Sequence, residues 1–522
     1  MDSKIAKMIN ASKLRVVLES VIVGIGVGLL VSLYRLVLKY VLNYTYLTYK
    51  FIGRHILYII VGLIVLSIVG IIVGLMVKDE SMISGSGIPQ IEGILTGYFK
   101  APSPVKVVLY KFVGGVLAIG SGLSLGIEGP SIQLGASIGH IFGNITKRLK
   151  LEKRFLISSG AGAGLAAAFN APFAGALFVL EEVHKKFTPM LFVSAIAAAV
   201  SSDAITWIFF GKGQILEAHV LSTVPFRYYG YLVILGIIVG CAGAFYNFSL
   251  VRTMGLYKKI KLPIQFRMII PFVCAMFFGI FIPQVLGGGE NLIDSVLNGR
   301  VVLTFAIILL IAKFIFSMIS FCSGTPGGIL FPLLTLGSLV GVIFGEISIQ
   351  FFGLDRMYLM NIILFAMAGM FSSIVRAPLT GLMLVCEMSG SFTQFGPIIL
   401  VCGVSYLVAE LLRSEPVYES LFKMRLHSME PKEKSEEYAK ENKGEVVVSY
   451  IVGMGSNIAG KKLREINLGK NVLIISIERE GEILIPNGET VIMAGDTIST
   501  LASENKEIQL RERLEELCEC DL

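Results

Sequence analysis

Charge is scarce in this chain of 522 residues: Asp, Glu, Lys and Arg make up only 16%, against 54% hydrophobic residues. With a mean hydropathy of +0.75, that shortage excludes intrinsic disorder and argues against an ordinary soluble globule. Cysteines with metal spacing are also lacking. Cys241, Cys274, Cys322, Cys386 and Cys402 stand singly in apolar segments and read as small core residues. Cys518 and Cys520 form a C-x-C pair with no His or further Cys beside it, too few ligands for a closed metal site. No cleavable signal peptide is evident, because Lys4, Lys7, Lys13 and Arg15 break the start into short apolar pieces. No basic domain with interleaved aromatics occurs, so the formal charge of +7 is not the footprint of a nucleic-acid binder. The apolar region shows neither a nucleophile–base pair nor a metal constellation, which removes the case for an enzyme and calls for no cofactor.

What is there is hydrophobic length. Ile56 to Val77 carries no charge, and at about 1.5 Å per residue it is long enough to cross a hydrocarbon core of ~30 Å. The chain therefore reads as an all-α polytopic membrane protein. Val16 to Phe51 predicts one long tilted helix. Basic clusters at Lys147–Arg154 and Arg252–Arg267 place these loops and the N-terminus in the cytoplasm by the positive-inside rule. From Pro104 to Leu180 the segments become short and glycine-punctuated: Pro104–Leu125, Ser131–Phe142, Phe155–Phe169 and Pro172–Leu180. Several are too short to span, the mark of transporter folds in which broken helices line a polar cavity. Met190–Phe210 and Tyr229–Phe248 are longer spans.

The second half repeats the first. At a shift of 202, from Pro130 to Pro332, Leu134, Gly135 and Gly139 fall on Leu336, Gly337 and Gly341, and Gly85–Gly87 fall on Gly287–Gly289. At a shift of 206, Ala171, Pro172, Gly175 and Glu181 fall on Ala377, Pro378, Gly381 and Glu387. Such a repeat predicts that matched loops from both halves meet at one central site. Around Leu412 the composition turns charged, with a linker at Lys432–Lys443. From Glu445 a small α/β module is expected: a strand EVVVSYIV, a helix near Ala459–Ile466, a strand VLIISIERE, a hairpin at Glu480–Gly481 and a last strand VIMAGDTISTLA.

Glu128 stands out, a carboxylate between glycines in the loop GIEGP, Gly126 to Pro130. An acid inside a membrane region usually faces a cavity and has a function. Pro130 suits a first helical turn, so the loop predicts a helix N-terminus rich in unpaired N–H donors with an acid at its mouth. GSGIP, Gly85 to Pro89, allows converging amides plus the Ser86 hydroxyl, a combination suited to a desolvated anion. GILFP, Gly328 to Pro332, is the repeat partner of GIEGP with Leu330 where Glu128 stands; the backbone amides of Ile329 and Leu330 are its candidate donors. Tyr418 in EPVYESL is a fourth candidate, with an interfacial aromatic as the plainer reading. Of Glu181 and Glu182, one is expected to face inward and the other water. Glu92 is a candidate buried acid. Lys111 and Lys313 either raise the local positive potential or snorkel, and snorkelling is the expectation for Lys313.

Together these residues resemble the CLC family of chloride channels and chloride/proton antiporters. The resemblance runs from about Val16 to Leu421 and rests on GSGIP, the GxEGP loop, GLAAAFNAPFAGALFVLEE at Gly164–Glu182, the GIxxP loop and the Tyr418 motif. It implies two inverted repeats, a homodimer with one pore per subunit, and a central anion site formed by Ser86, Tyr418 and the amides of Ile329 and Leu330. It further implies Glu128 as the external gating glutamate and Glu182 as the inner proton-transfer glutamate. The expected function is exchange of chloride for protons across the cell membrane. A passive chloride channel of the same fold is the alternative; a fluoride exporter or a membrane-anchored ligand sensor ranks lower. Ile127 stands where the family usually has Arg or Lys, and Leu330 where it often has Phe. The tail resembles the C-terminal regulatory domain of potassium-uptake regulators, the TrkA C-terminal (RCK-C) type, expected to be cytoplasmic and to take a small ligand. The implied domains are 1–421 for transport, 422–444 as linker and 445–522 for regulation.

Overall fold

The computed structural model describes residues 2–185, 187–213, 215–216, 223–428, 445–453, 456–466, 468, 472–479, 482–503, 510, 513–514 and 517–518. It divides into two compact units, 1–95 with 101–422, and 96–100 with 423–522.

The first half of unit one holds α1 (Asp2–Ile52), α2 (Ile56–Asp79), α3 (Ile88–Thr96), α4 (Pro104–Gly120), α5 (Glu128–Ile145), α6 (Lys150–Phe169), α7 (Pro172–Phe178) and α8 (Pro189–Phe210). The second holds α9 (Tyr229–Lys259), α10 (Ile264–Arg267), α11 (Ile269–Phe281), α12 (Glu290–Leu297), α13 (Leu303–Cys322), α14 (Leu330–Phe352), α15 (Leu359–Val375), α16 (Pro378–Ser389), α17 (Phe395–Leu411) and the start of α18 (Val417–Ser428), whose residues from 423 on are counted with unit two. Among the described residues eight helices are long and apolar enough to cross a membrane. The broken segments fall where glycine and proline predict them. Proline opens α4, α7, α8 and α16, where its missing N–H costs nothing. α18 runs on through residues 422–428, the first part of the expected linker; Lys432–Lys443 lies outside the described residues.

Each half is held internally by a matched pair of polar contacts. Lys111 is fully buried and donates to the carbonyls of Ile83 (2.9 Å) and Gly85 (2.6 Å). Lys313 is equally buried and donates to Val285 (3.0 Å) and Gly287 (2.7 Å), the same positions shifted by 202. The snorkelling expectation for Lys313 is therefore wrong. Two carbonyls at hydrogen-bond distance compensate the ammonium inside the protein, so the side chain has no reason to seek the interface.

In unit two, β1 (Glu445–Ile451), β2 (Val472–Arg479), β3 (Glu482–Leu484) and β4 (Thr497–Ser503) form one antiparallel sheet in the order β1-β4-β2-β3. β2 and β3 pair as the expected hairpin arms, although Glu480 and Gly481 lie outside the described residues. Two expectations fail. The helix near Ala459–Ile466 is a turn followed by one 3₁₀ turn, Leu463–Glu465, because Gly460 takes φ 83° and interrupts any helical run. The last strand begins at Thr497 instead of Val491: the Asp496 carboxylate accepts the Met493 amide (2.8 Å) and folds that stretch into a turn. Arg479 pairs with the same carboxylate and holds the Asp496 pKa below its ordinary value. Helical residues do occur further on, where Leu510, Leu514 and Cys518 pack into the apolar core under the sheet.

Candidate functional site

Gly126 and Gly328 pair as an antiparallel bridge, each amide donating to the other's carbonyl at 2.9 and 2.7 Å. This short tie brings the N-termini of α5 and α14 together, so the orphan donors of two helices converge. Glu128, the first residue of α5, is fully buried, and its Oε1 accepts the Phe331 amide at the start of α14 (3.1 Å). The carboxylate thus lies where an anion at a helix N-terminus would lie. Both glycines are needed for space: a Cβ on Gly126 would come within 2.1 Å of the carboxylate, and one on Gly328 within 2.5 Å. Oε2 of Glu128 is buried and meets no donor among the described residues.

Ile329 and Leu330 are buried, and Ile329 is the N-cap of α14. The amide hydrogen-bonded to Glu128 belongs to Phe331, the next residue, while that of Leu330 also faces the carboxylate. Ser86 is buried against the residue that follows Glu128: a Cβ on Gly129 would lie 2.9 Å from Ser86 Cα and Cβ. The Ser86 hydroxyl accepts weakly from the Ile88 amide (3.4 Å). Tyr418 is fully buried, which replaces the interfacial reading; its ring stands edge-on to Phe178 of α7 at 6.5 Å. Its hydroxyl has no partner among the described residues and lies in electrostatic range of Glu128 and Glu182.

Glu182 sits on a π-helical turn, Val179–Val183, that continues α7, a local geometry frequent at functional sites. It is buried, with Oε1 unpartnered among the described residues. Lys185, Glu92, Glu419 and Glu181 surround it, and Lys185 pairs with the buried Glu92 at 2.8 Å.

The expected split between Glu181 and Glu182 is incomplete, because Glu181 is engaged with protein instead of water alone. Its carboxylate accepts from the Leu379 amide (3.2 Å), the Thr380 amide (2.7 Å) and the Thr380 hydroxyl (2.6 Å), capping α16. Glu387 on α16 accepts from the amides of Phe173 (3.0 Å) and Ala174 (2.8 Å), capping α7 in return. Sequence reasoning had Glu387 only as a repeat landmark. The signal for the clasp was present, since acid and target amides all match at the shift of 206. Tyr34 and Tyr246 were missed as well: both are fully buried, both hydroxyls lack a partner among the described residues, and both lie in electrostatic range of Glu128.

Two repeats of broken helices meeting at a buried acid define a polytopic membrane protein for ion transport. The voltage gated chloride channel family model matches residues 69–410, and that of the TrkA-C domain matches 447–515. The chain belongs to the CLC family and carries a C-terminal TrkA-C domain, as its motifs led one to expect; it is a transport protein and not an enzyme. It is 35% identical over 374 residues to the H(+)/Cl(-) exchange transporter ClcA of Klebsiella pneumoniae (strain 342), covering 69% of this chain and 78% of that protein. The ClcA exchanger of Salmonella agona is 36% identical over 351 residues, covering 65% and 72%. Among solved structures, a slow cyanobacterial Cl-/H+ antiporter superposes with a TM-score of 0.76 at 28% identity, over 80% of this chain and 99% of that one. A CLC-type fluoride/proton antiporter shares the fold at 22% identity and a TM-score of 0.66, over 78% and 97%.

Proposed function

We propose that this CLC protein exchanges chloride for protons. The observation that carries the reading is the Glu128 carboxylate lying at the N-terminus of α14 and accepting the Phe331 amide. As a carboxylate it mimics the anion and occupies the site; once protonated it leaves, and chloride enters against Ser86, Tyr418 and the amides around Ile329 and Leu330. One group then serves both fluxes. Glu182 is the inner proton donor and acceptor, and its burial beside Lys185 and Glu92 supports that role. A passive channel has no use for such an inner acid. Fluoride is the weaker substrate reading because GSGIP keeps Ser86. Ile127 in place of a basic residue, and Leu330 in place of Phe, bear on anion affinity and rate more than on the reaction.

The proposed organisation is a transport domain at 1–421, a linker at 422–444 and a regulatory module at 445–522, assembled as a homodimer in the cell membrane with both termini cytoplasmic. Simultaneous measurement of chloride efflux and proton uptake from reconstituted liposomes tests the exchange. Chloride flux that drives protons uphill is expected; chloride flux without proton movement would establish the channel reading. Deleting residues 445–522 should leave exchange intact and remove any response to a cytosolic ligand. A folded truncation without transport would refute a purely regulatory tail.

A further inference from the structure

Away from the ion site, a groove of about 640 Å³ runs between α1, α2, α4 and α11, a volume in the range of small-molecule sites. Val61, Val65 and Val69 of α2, Leu117 of α4 and Met276 of α11 make its wall. Its floor offers no free polar group from Thr45 or Tyr49: the Thr45 hydroxyl donates to Gly120 O and the Tyr49 hydroxyl to Ser121 O, both at 2.6 Å. The Thr48 and Ser121 hydroxyls are likewise engaged by main-chain carbonyls, so the mostly apolar wall favours an apolar occupant. The α1 and α2 walls belong to segments long and apolar enough to cross a membrane, so hydrocarbon chains are the medium that meets the groove.

One end of the groove is chemically different. At the turn between α1 and α2, the rings of Phe51, His55 and Tyr58 cluster with centroids 4.8 to 5.9 Å apart, and Phe51 and Tyr58 also line the groove. Lys50 and Arg54 are exposed on the same turn, and neither has an ion-pair partner among the described residues. Aromatic rings beside free cations at a helix end are the pattern of a headgroup region, and unpaired cations there favour a headgroup of net negative charge. We propose that this groove binds one anionic phospholipid, with an acyl chain along Val61, Val65 and Val69 and the phosphate on Lys50, Arg54 and His55. The bound chain lies on Gly120 and Ser121, the end of α4 and its following residue, from which the backbone runs directly into the loop carrying Glu128.

The test is native mass spectrometry of the full chain, equilibrated with vesicles of equal phosphatidylcholine and phosphatidylglycerol and then extracted in detergent. One retained phosphatidylglycerol per chain is expected, at least about tenfold over phosphatidylcholine, a ratio of roughly 1.4 kcal/mol. Val61→Trp fills the groove and should abolish retention with the surface charges intact. Val65→Phe fills the same space by a smaller step and serves if the first variant elutes as aggregate. The Lys50→Gln/Arg54→Gln double variant should keep one lipid but lose the preference between headgroups. Equal retention of both lipids by the wild type, or undiminished phosphatidylglycerol in both filled variants, would overturn the proposal. So would a wild-type dimer that dissociates when Val61 becomes Trp, because the occupant would then be a second copy of this chain.

Discussion

In the first half of the membrane region Lys111 holds the loop before α3 by two carbonyls, and in the second half Lys313 holds the loop before α12 in the same way. Gly85 donates to Gly324 O at 3.4 Å, and its mate Gly287 donates to Gly122 O at 3.3 Å. Glu181 caps α16 while Glu387 caps α7. The scaffolding is thus duplicated, and the chemistry is not. Leu330 is the mate of Glu128, and Met388 is the mate of Glu182; both are buried. The first half supplies both acids and Ser86; the second supplies the backbone donors that receive Glu128 and the buried Tyr418. A duplicated scaffold needs equivalent contacts to bring the loops together, whereas one exchange site needs each protonatable group once. Substitutions at mated positions separate these two roles.

The largest expected effect belongs to the unmated acid. Glu128→Gln should retain chloride flux while abolishing proton coupling, because the amide keeps the shape but neither ionises nor carries a proton. The decisive measurement is proton uptake into chloride-loaded liposomes. Uphill pumping by the variant would remove Glu128 from the coupling step.

The mated caps come next. Glutamine at 181 or 387 turns an NH₂ toward amide donors, and each loss should destabilise by about 1–3 kcal/mol, read as a lower thermal midpoint in detergent. Glu181 also anchors the π turn that carries Glu182, so Glu181→Gln should lower the number of protons moved per chloride more than Glu387→Gln does. Equal coupling defects in the two would mean that the clasp acts only as scaffold.

Much of this arrangement was legible in the sequence, for a physical reason. Glycine and proline occupy backbone positions that few other residues tolerate, so Pro130 with Pro332 and Gly85 with Gly287 preserved the repeat while the side chains between them changed. α14 has 23 residues against 18 for α5, about one turn more, in keeping with the step of the shift from 202 to 206. The clasp was harder to see because a carboxylate accepting amides some 200 positions away has no local signature. Lys313 read as a snorkelling side chain because its two acceptors are main-chain carbonyls, invisible to composition. In the tail, apolar VIM suggested strand, but Gly495 at φ 91° and the Asp496 carboxylate turn it.

A smaller effect is expected at the buried lysines. Lys111→Met or Lys313→Met removes a charge and strands two carbonyls, costing about 1–3 kcal/mol per variant on the same thermal assay. Lys313 lies in electrostatic range of Glu128, so its loss should also weaken chloride binding in titration calorimetry. Unaltered chloride affinity in a folded Lys313→Met protein would reduce this residue to the structural role of its mate.

The smallest effect is expected at Tyr34 and Tyr246, one on α1 and one on α9. Each hydroxyl is buried and meets no protein partner among the described residues, so each carries a desolvation cost with no bond within the protein to offset it. Phenylalanine keeps the ring contacts, such as that of Tyr34 with Phe112 at 5.2 Å and of Tyr246 with Phe314 at 6.0 Å. Removing an unpartnered buried hydroxyl is close to neutral or stabilising. Tyr34→Phe and Tyr246→Phe should therefore leave the thermal midpoint unchanged or raise it slightly. A fall of more than about 1 kcal/mol in either variant would mean that its hydroxyl has a hydrogen-bonding partner in the working protein, either water or the transported ion. Chloride dependence of that fall would tell the two apart. A loss that grows with chloride concentration would extend the ion path toward that tyrosine.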